Sequence, residues 1–195
     1  MYAKDQSSET EPAERCPWWL CFTFDNFLRR SLQNPVKILS PYVKEGYNVL
    51  DVGPGMGYAT IPLARLVGSS GHVFAADIQQ HMLDAIYQRA RRAGLQDRIV
   101  LKLSKLDDIG VSVPVDFCLA FWMLHEVGNR KRFLSQIAAL MKPDAKFLIV
   151  EPKLHVSFLN FTESLNLARE SGLEIISRPN IFISNAAVLE KKLKV

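Results

Sequence analysis

The feature that most constrains the fold of this chain is a short apolar segment that runs into an acid and three alternating glycines. Residues 49–52 read as a buried strand that contains Asp51, and Gly53, Gly55 and Gly57 follow. Glycine permits a sharp turn and lets a ligand come close to main-chain N–H groups. In α/β sheets, a strand that feeds such a turn builds a nucleotide site at the carboxyl edge. Because a simple strand–helix turn does not require three glycines, the segment predicts a ligand-binding turn.

A second acid, Asp77, closes the next apolar run at residues 72–77, twenty residues beyond Gly57. At that distance a carboxylate is placed to bond the hydroxyl pair of a ribose. The alternative is that Asp77 caps the helix predicted at residues 79–93, since Asp favours that position. The spacing Gly-x-Gly-x-Gly differs from the Gly-x-Gly-x-x-Gly of dinucleotide-binding folds.

Strands and helices alternate along the rest of the chain. Met82 and Ile86, with alanines around them, form an apolar face at helical spacing, and Gly94 ends that helix. Alternation of this kind predicts an α/β fold with a doubly wound, mostly parallel sheet and helices on both faces. The predicted helices are 35–44, 57–67, 79–93, 129–141 and 161–171, and the predicted strands are 47–52, 72–77, 98–103, 115–121 and 145–151, followed by a terminal pair at 173–178 and 185–191.

Composition narrows the class of protein. A chain of 195 residues with 48% hydrophobic residues suits one domain with a sizeable core. The net charge of +4 comes without a long basic block, so a nucleic-acid partner is not expected. Three cysteines without a Cys-x-x-Cys pair indicate a reducing compartment. The sequence has no signal-peptide-like start and no run long enough to span a bilayer, so we expect a cytoplasmic protein.

The first 34 residues differ from the remainder. Residues 1–15 are polar. Residues 16–30, which include Cys16 and Cys21, carry several aromatic side chains. Large rings gain free energy when they leave water, so this segment has to dock on another surface. We expect residues 1–34 to form a tail and a lid over the ligand cleft, and residues 35–195 to form the ligand-binding domain. The alternative is a helix packed away from the site. The aromatic residues are Trp18, Trp19, Phe22, Phe24 and Phe27.

Three segments together resemble the class I S-adenosylmethionine-dependent methyltransferases. They are the glycine turn at residues 51–57, the strand and following loop at 115–127, and the Leu-Lys-Pro bend at 139–147, where the glycines of the family's bend are replaced. The resemblance runs from about Pro35 to about Lys192. It implies a seven-stranded sheet of order 3-2-1-4-5-7-6 with an antiparallel final strand, and S-adenosyl-L-methionine as the cofactor.

The resemblance also implies roles for particular residues. Asp51 would lie near the methionine amino group, and Asp77 would bind the ribose. Members of the family often carry an acid after the third strand that binds the adenine amino group, but Lys105 occupies that position and cannot accept a hydrogen bond. Asp107, the Ser104 hydroxyl or backbone groups remain as alternatives, and the Leu106 N–H would meet an adenine ring nitrogen. The implied cofactor-binding set is Asp51, Gly53, Gly55, Gly57, Asp77, Ile78, Leu106 and Ala120.

His125 is the candidate catalytic residue. It follows a wholly apolar strand at the carboxyl edge, beside the glycine turn, where such sheets bind ligands. With an ordinary pKa near 6.5, a histidine can accept a proton from a hydroxyl, phenol or thiol. The alternative is a satisfied structural histidine. Glu151 and His155 end or follow the fifth strand at the same edge and are weaker candidates. No metal site is expected, because no ligand cluster has zinc spacing.

These features predict an enzyme that transfers a methyl group from S-adenosyl-L-methionine in line to a small-molecule acceptor. Three alternatives stay open. A non-catalytic S-adenosylmethionine-binding protein would keep the fold without turnover. A methyltransferase of a protein or RNA is less favoured, because no Asn-Pro-Pro-Tyr or Asp-Pro-Pro-Tyr motif follows the fourth strand. A nicotinamide-dependent oxidoreductase is disfavoured by the glycine spacing.

Overall fold

The computed structural model describes residues 33–192, which build one seven-stranded sheet flanked by helices. The spatial order of the strands is β3-β2-β1-β4-β5-β7-β6, as the resemblance implied. β1 pairs in parallel with β2 and β4, whereas β7 runs antiparallel to β5 and β6. The strands are β1 (Asn48–Val52), β2 (His72–Asp77), β3 (Ile99–Leu103), β4 (Val115–Phe121), β5 (Met141–Pro152), β6 (Leu173–Ser177) and β7 (Ser184–Lys191).

The helices cover both faces of the sheet. The α-helices are α1 (Pro35–Leu39), α2 (Thr60–Leu66), α3 (Gln80–Ala93), α4 (Arg130–Leu140) and α5 (Phe158–Glu170), and short 3-10 turns lie at Gln96–Arg98 and Leu124–Glu126. Strand residues alternate between two cores. Leu50 and Val52 pack on the side of α4 and α5, and Val49 packs on the side of α1 and α2. This alternation follows from the twofold repeat of a strand.

Two predicted boundaries were wrong by four residues or more, and the starts of α2 and α5 each differ from the prediction by three residues. The first helix ends at Leu39 and not at Lys44, because Pro41 has no N–H to continue the helical hydrogen-bond pattern. The fifth strand begins at Met141 and not at residue 145, directly after α4. Met141 pairs with Val115, and the register then shifts before Lys146 meets Phe117. The Leu-Lys-Pro bend is therefore an irregularity inside β5 rather than a separate turn.

The sheet topology fixes where a ligand can bind. β1 and β4 are neighbours, and the chain leaves β1 toward β2 on one side while β4 lies on the other. The loops that follow these strands separate at the carboxyl edge, which is the switch point of an open α/β sheet. Across the described range, 33–192, no helix combines the length and the apolar character needed to cross a membrane. Residues 1–32 of the predicted tail and aromatic lid lie outside the described residues.

Candidate functional site

The glycine turn after β1 has the backbone geometry that its sequence indicates. Gly53, Gly55 and Gly57 all adopt positive φ, at 59°, 53° and 87°. The Gly53 N–H donates to the Ala76 carbonyl of β2 at 2.9 Å, which ties the turn to the neighbouring strand. A Cβ placed on Gly53 would lie 2.9 Å from the Met123 side chain, whereas a Cβ on Gly55 would meet no heavy atom within 4 Å. Gly53 therefore serves close packing, and the space beside Gly55 is open.

Asp77 lies at the end of β2 and faces the glycine turn. Its Oδ1 accepts the Gln79 N–H at 2.9 Å. Burial raises the pKa of Asp77, and hydrogen bonds from the N–H groups of Gln79, Gly55 and Ile78 oppose the rise. The N-cap position of α3 is Gln79, so Asp77 does not occupy the capping position itself. The bond of the Gly53 N–H to the carbonyl of Ala76, the residue before Asp77, joins the two features that the sequence paired.

Asp51 is buried below the turn on β1. Its side chain points to the α2 face of the sheet, where Oδ2 accepts the Thr60 hydroxyl at 2.7 Å. Burial raises the pKa of Asp51 to about 7, the Thr60 bond opposes the rise, and the charge of Asp77 adds to it. Thr60 is the first residue of α2, so this bond anchors the helix that follows the glycine turn. Thr60 is not among the residues predicted from the sequence, although it lies only three residues after the last glycine.

The loop after β3 places the candidates for adenine contact in different environments. Lys105 and Asp108 form an isolated bridge, with Leu106 and Asp107 at its tip. Leu106 is 74% exposed. The Ser104 hydroxyl donates to the Ile109 carbonyl at 2.8 Å. Asp107 is paired with Arg132 of α4 through Oδ2 at 3.3 Å. Ser104 and Asp107, the two side chains that could bind adenine, already have protein partners. The backbone at the tip of this loop is therefore the better candidate for adenine contact.

Ile78 and Ala120 flank the same edge. Ile78 follows Asp77 and is partly exposed, and Ala120 is fully buried in β4 beside Val52. Trp122, just beyond β4, adopts a φ of 59°, which is uncommon for a bulky residue and often found at functional sites. The backbone N–H of Trp122 donates to the Val150 carbonyl at 2.7 Å. This conformation turns the chain back so that Met123 covers Gly53.

His125 lies in the 3-10 turn after β4, and its side chain is 22% exposed. Its Nδ1 is 2.6 Å from Oε2 of Glu151. The second oxygen of Glu151 accepts the Leu124 N–H at 2.9 Å. Burial lowers the pKa of His125, but the hydrogen bond and charge of Glu151, with the charge of Glu126, outweigh it and raise the pKa above its ordinary value. The His155 ring meets the His125 ring edge-on, with centroids 5.3 Å apart.

Glu126 is an acid that interacts with both His125 and Asp77. Its Oε1 is 4.0 Å from Nε2 of His125. Burial raises the pKa of Glu126, and the charges of Asp77 and Glu151 contribute to the rise while His125 and His155 oppose it. Glu126 thus lies within electrostatic reach of both Asp77 and His125. Glu126 is not among the site residues predicted from the sequence, where its position next to His125 is the only signal for it.

The donor set fits a cationic nucleoside better than a metal ion. Two buried carboxylates, an open space beside Gly55 and positive-φ backbone in the turn suit an adenosine with an attached positive charge. Among residues 33–192, no group of three or more His, Cys, Asp or Glu side chains is arranged to hold a metal ion. Cys118 is buried in β4, and burial raises the pKa of its thiol, so it takes no part in the site.

The sheet order, the glycine turn and the acid of β2 define a Rossmann-like methyltransferase fold. A family profile described as a methyltransferase domain matches residues 43–180. A crystal structure described as a SAM-dependent methyltransferase from Aquifex aeolicus superimposes with a TM-score of 0.80, at 23% identity, over 90% of this chain and 98% of that one. The chain belongs to the methyltransferase domain family.

Two curated relatives share part of the sequence. The ubiquinone/menaquinone biosynthesis C-methyltransferase UbiE of Vibrio vulnificus is 29% identical over 114 residues, which are 55% of this chain and 42% of the relative. The demethylmenaquinone methyltransferase of Lactobacillus johnsonii is 34% identical over 110 residues, which are 56% of this chain and 45% of the relative. The matches span less than half the length of these relatives.

Proposed function

We propose that this protein is an S-adenosyl-L-methionine-dependent methyltransferase of a small-molecule acceptor. The observation that carries the proposal is the buried Asp77 at the end of β2, next to Ala76, whose carbonyl accepts the Gly53 N–H of the glycine turn at 2.9 Å, within the match to the methyltransferase domain family. It brings a ribose-binding acid to a turn that a ligand can approach. We assign cofactor binding to Asp51, the glycines at 53, 55 and 57, Asp77, Ile78, the Leu106 backbone and Ala120.

Each residue has a specific task in this proposal. S-adenosylmethionine supplies a methyl group that is already activated on a sulfonium. Asp77 holds the ribose hydroxyls, and Asp51 provides negative charge near the methionine amino group. The protein then has to align the acceptor and exclude water. His125 takes the proton of an acceptor that binds protonated, such as a hydroxyl, phenol or thiol.

An apolar rim supports a small acceptor with an apolar body. Leu154 is 92% exposed, and four other large apolar side chains on the rim are also exposed. The Lys153 N–H donates to the Ile183 carbonyl at 2.9 Å. This bond holds the loop after β5, which carries Leu154, against the segment before β7, which carries Ile183. His155, in the loop after β5, contacts His125. The two curated relatives carry names that refer to quinone acceptors, which are compounds of this kind. The rim consists of Leu154, Phe158, Leu159, Phe182 and Ile183.

Calorimetry with S-adenosylmethionine, its demethylated product and NAD tests the cofactor. We expect the first two ligands to bind and NAD to show no heat of binding. Binding of NAD alone would overturn the proposal and favour an oxidoreductase. A bound cofactor without turnover on any acceptor would support the alternative of a non-catalytic binding protein, which Lys105 in place of the family's acid also favours.

Acceptor chemistry is tested with 1,4-dihydroxynaphthalene as an apolar phenolic probe. Release of the demethylated cofactor, measured by mass spectrometry, reports methyl transfer. His125→Asn keeps the size of the side chain but removes the base, so we expect the rate to fall about a hundredfold with unchanged cofactor affinity. A rate unaffected by this change between pH 6 and 9 would make His125 a structural residue. From the cysteine pattern we also propose a cytoplasmic location.

A further inference from the structure

Glu151 is a buried acid at the carboxyl end of β5, next to the candidate base. Its side chain is 2% exposed, and both carboxylate oxygens have partners in the same 3-10 turn. Oε2 meets Nδ1 of His125, and Oε1 meets the N–H of the preceding residue, Leu124. We propose that Glu151 is a positioning residue that fixes the tautomer of His125, with the Nδ1 proton toward Glu151 and the Nε2 lone pair toward the acceptor. This inference rests on the role of His125 in the proposed function.

The hydrogen-bond pattern determines which nitrogen carries the proton. An ionised carboxylate only accepts hydrogen bonds. Oε1 already accepts the Leu124 N–H, so the 2.6 Å contact of an ionised Glu151 with His125 requires a proton on Nδ1. A neutral imidazole carries one proton, and its Nε2 is therefore an acceptor. When the acceptor gives up its proton, that proton goes to Nε2 and the positive charge of the ring lies against Glu151.

The acids around His125 also stabilise a positive charge on its ring. Glu151 faces it from β5, Glu126 lies on the turn of His125 itself, and His155 approaches from the loop after β5. Glu151 makes the shorter contact, 2.6 Å against 4.0 Å for Glu126, and it is the more deeply buried of the two acids. Removing the charge of Glu151 should therefore lower the pKa of His125 more than removing the charge of Glu126 does.

A purely structural role for Glu151 predicts a different outcome. In that case the carboxylate would only hold the Leu124 N–H and keep the turn in place. Glu151→Gln separates the two roles, because the amide oxygen still accepts the Leu124 N–H while the amide NH₂ donates to Nδ1. The turn is retained, but the proton of neutral His125 moves to Nε2, which is the wrong tautomer for a base at that atom.

Nitrogen-15 NMR of the histidine side chains reads the tautomer directly and needs no acceptor. The chain has four histidines, and His125→Gln identifies the signals of His125. In the wild type we expect the Nδ1–H tautomer and a protonation midpoint above the ordinary value. In Glu151→Gln we expect the Nε2–H tautomer and a midpoint lower by about one pH unit or more. Glu126→Gln is the matched control, with the tautomer kept and a smaller change in midpoint.

Two results would overturn the inference: an Nε2–H tautomer in the wild type, or the same tautomer and midpoint in Glu151→Gln. The wild-type measurement decides the question by itself if the variant does not fold, which thermal unfolding reports. Calorimetry with S-adenosylmethionine on the same proteins tests the proposed function separately, because the cofactor-binding residues are unchanged. Normal tautomers without cofactor binding would count against the function and leave the Glu151–His125 geometry in place.

Discussion

Burial and the nearby charge of Asp77 together raise the pKa of Asp51 to about 7. The two acids lie on adjacent parallel strands, and only the Thr60 hydroxyl gives Asp51 a direct side-chain hydrogen bond among the described contacts. A buried carboxylate of this kind is unfavourable when it is charged. A ligand that brings positive charge to this edge would relieve the repulsion. We therefore expect this pair to couple protein stability and pH to the proposed cofactor binding.

The first prediction concerns stability and pH. The folded pKa of Asp51 lies above its ordinary value of 3.8. Its contribution to stability is therefore greatest below about pH 4 and is lost as the pH rises to about 7, at up to about 1.4 kcal/mol for each pH unit. Asp51→Asn keeps an acceptor for Thr60 but removes the charge. We expect the ligand-free variant to be more stable than the wild type at pH 8 and nearly equal at pH 4.

Thermal unfolding across pH 4 to 8 measures this difference. The same variant should bind S-adenosylmethionine more weakly, so stability and binding would change in opposite directions. A stability difference that does not depend on pH would show that Asp51 is not the group that titrates.

The second prediction compares two glycines with similar backbone conformations. Gly55 and Gly94 have φ of 53° and 65°, and a Cβ on either would meet no heavy atom within 4 Å. Alanine at each site should therefore lower stability by a similar amount, about 1–2 kcal/mol, because left-handed backbone is unfavourable for a residue with a Cβ. Only Gly55 lies in the proposed binding turn.

Calorimetry separates the two variants. We expect Gly55→Ala to weaken cofactor binding at least about tenfold through its methyl group in the space beside the turn. Gly94→Ala, at the end of α3, should bind like the wild type. Equal affinities for both variants would contradict the assignment of Gly55 to the cofactor site.

The third prediction concerns the acid of β2. Asp77→Ala removes charge-assisted hydrogen bonds to the ribose, worth about 1.5–3 kcal/mol, and should weaken cofactor binding roughly ten- to hundredfold. Asp84→Asn on α3 is the control, since Asp84 is exposed and its Oδ1 accepts the side-chain amide of Gln80 on the same helix at 2.9 Å. Isothermal calorimetry with thermal unfolding checks both affinity and folding. An unchanged affinity for Asp77→Ala would argue that Asp77 only supports the backbone.

The fourth prediction concerns the aromatic lid, which lies outside the described residues. Deletion of residues 1–30 should reduce turnover on the dihydroxynaphthalene probe more than it reduces cofactor affinity, because the glycine turn is unchanged. Calorimetry and the methyl-transfer assay, run on the same preparation, give the two quantities. Full activity in the shortened protein would show that the segment does not cover the acceptor side.

The fold was largely predictable because its signals are local. Buried parallel strands are nearly continuous apolar runs, and the glycines at 53 and 94 mark turns that need positive φ. The two largest exceptions had different causes. Pro41 shortened α1, and residues 141–144 joined β5 because Met141 pairs with Val115, a contact between distant parts of the chain. Such pairing leaves no mark in the sequence around residue 141.

The sequence by itself determined the class of fold, the order of its elements, and the placement of Asp51, Asp77 and His125 at one edge of the sheet. Backbone direction alone requires that placement, since parallel strands end at the same edge. The tertiary structure decided which side chains meet there. Glu151 bonds His125, Thr60 bonds Asp51, and Arg132 engages Asp107. These partners lie between 9 and 26 residues apart in the chain, so their pairing depends on strand register and loop conformation, which no local pattern of residues records.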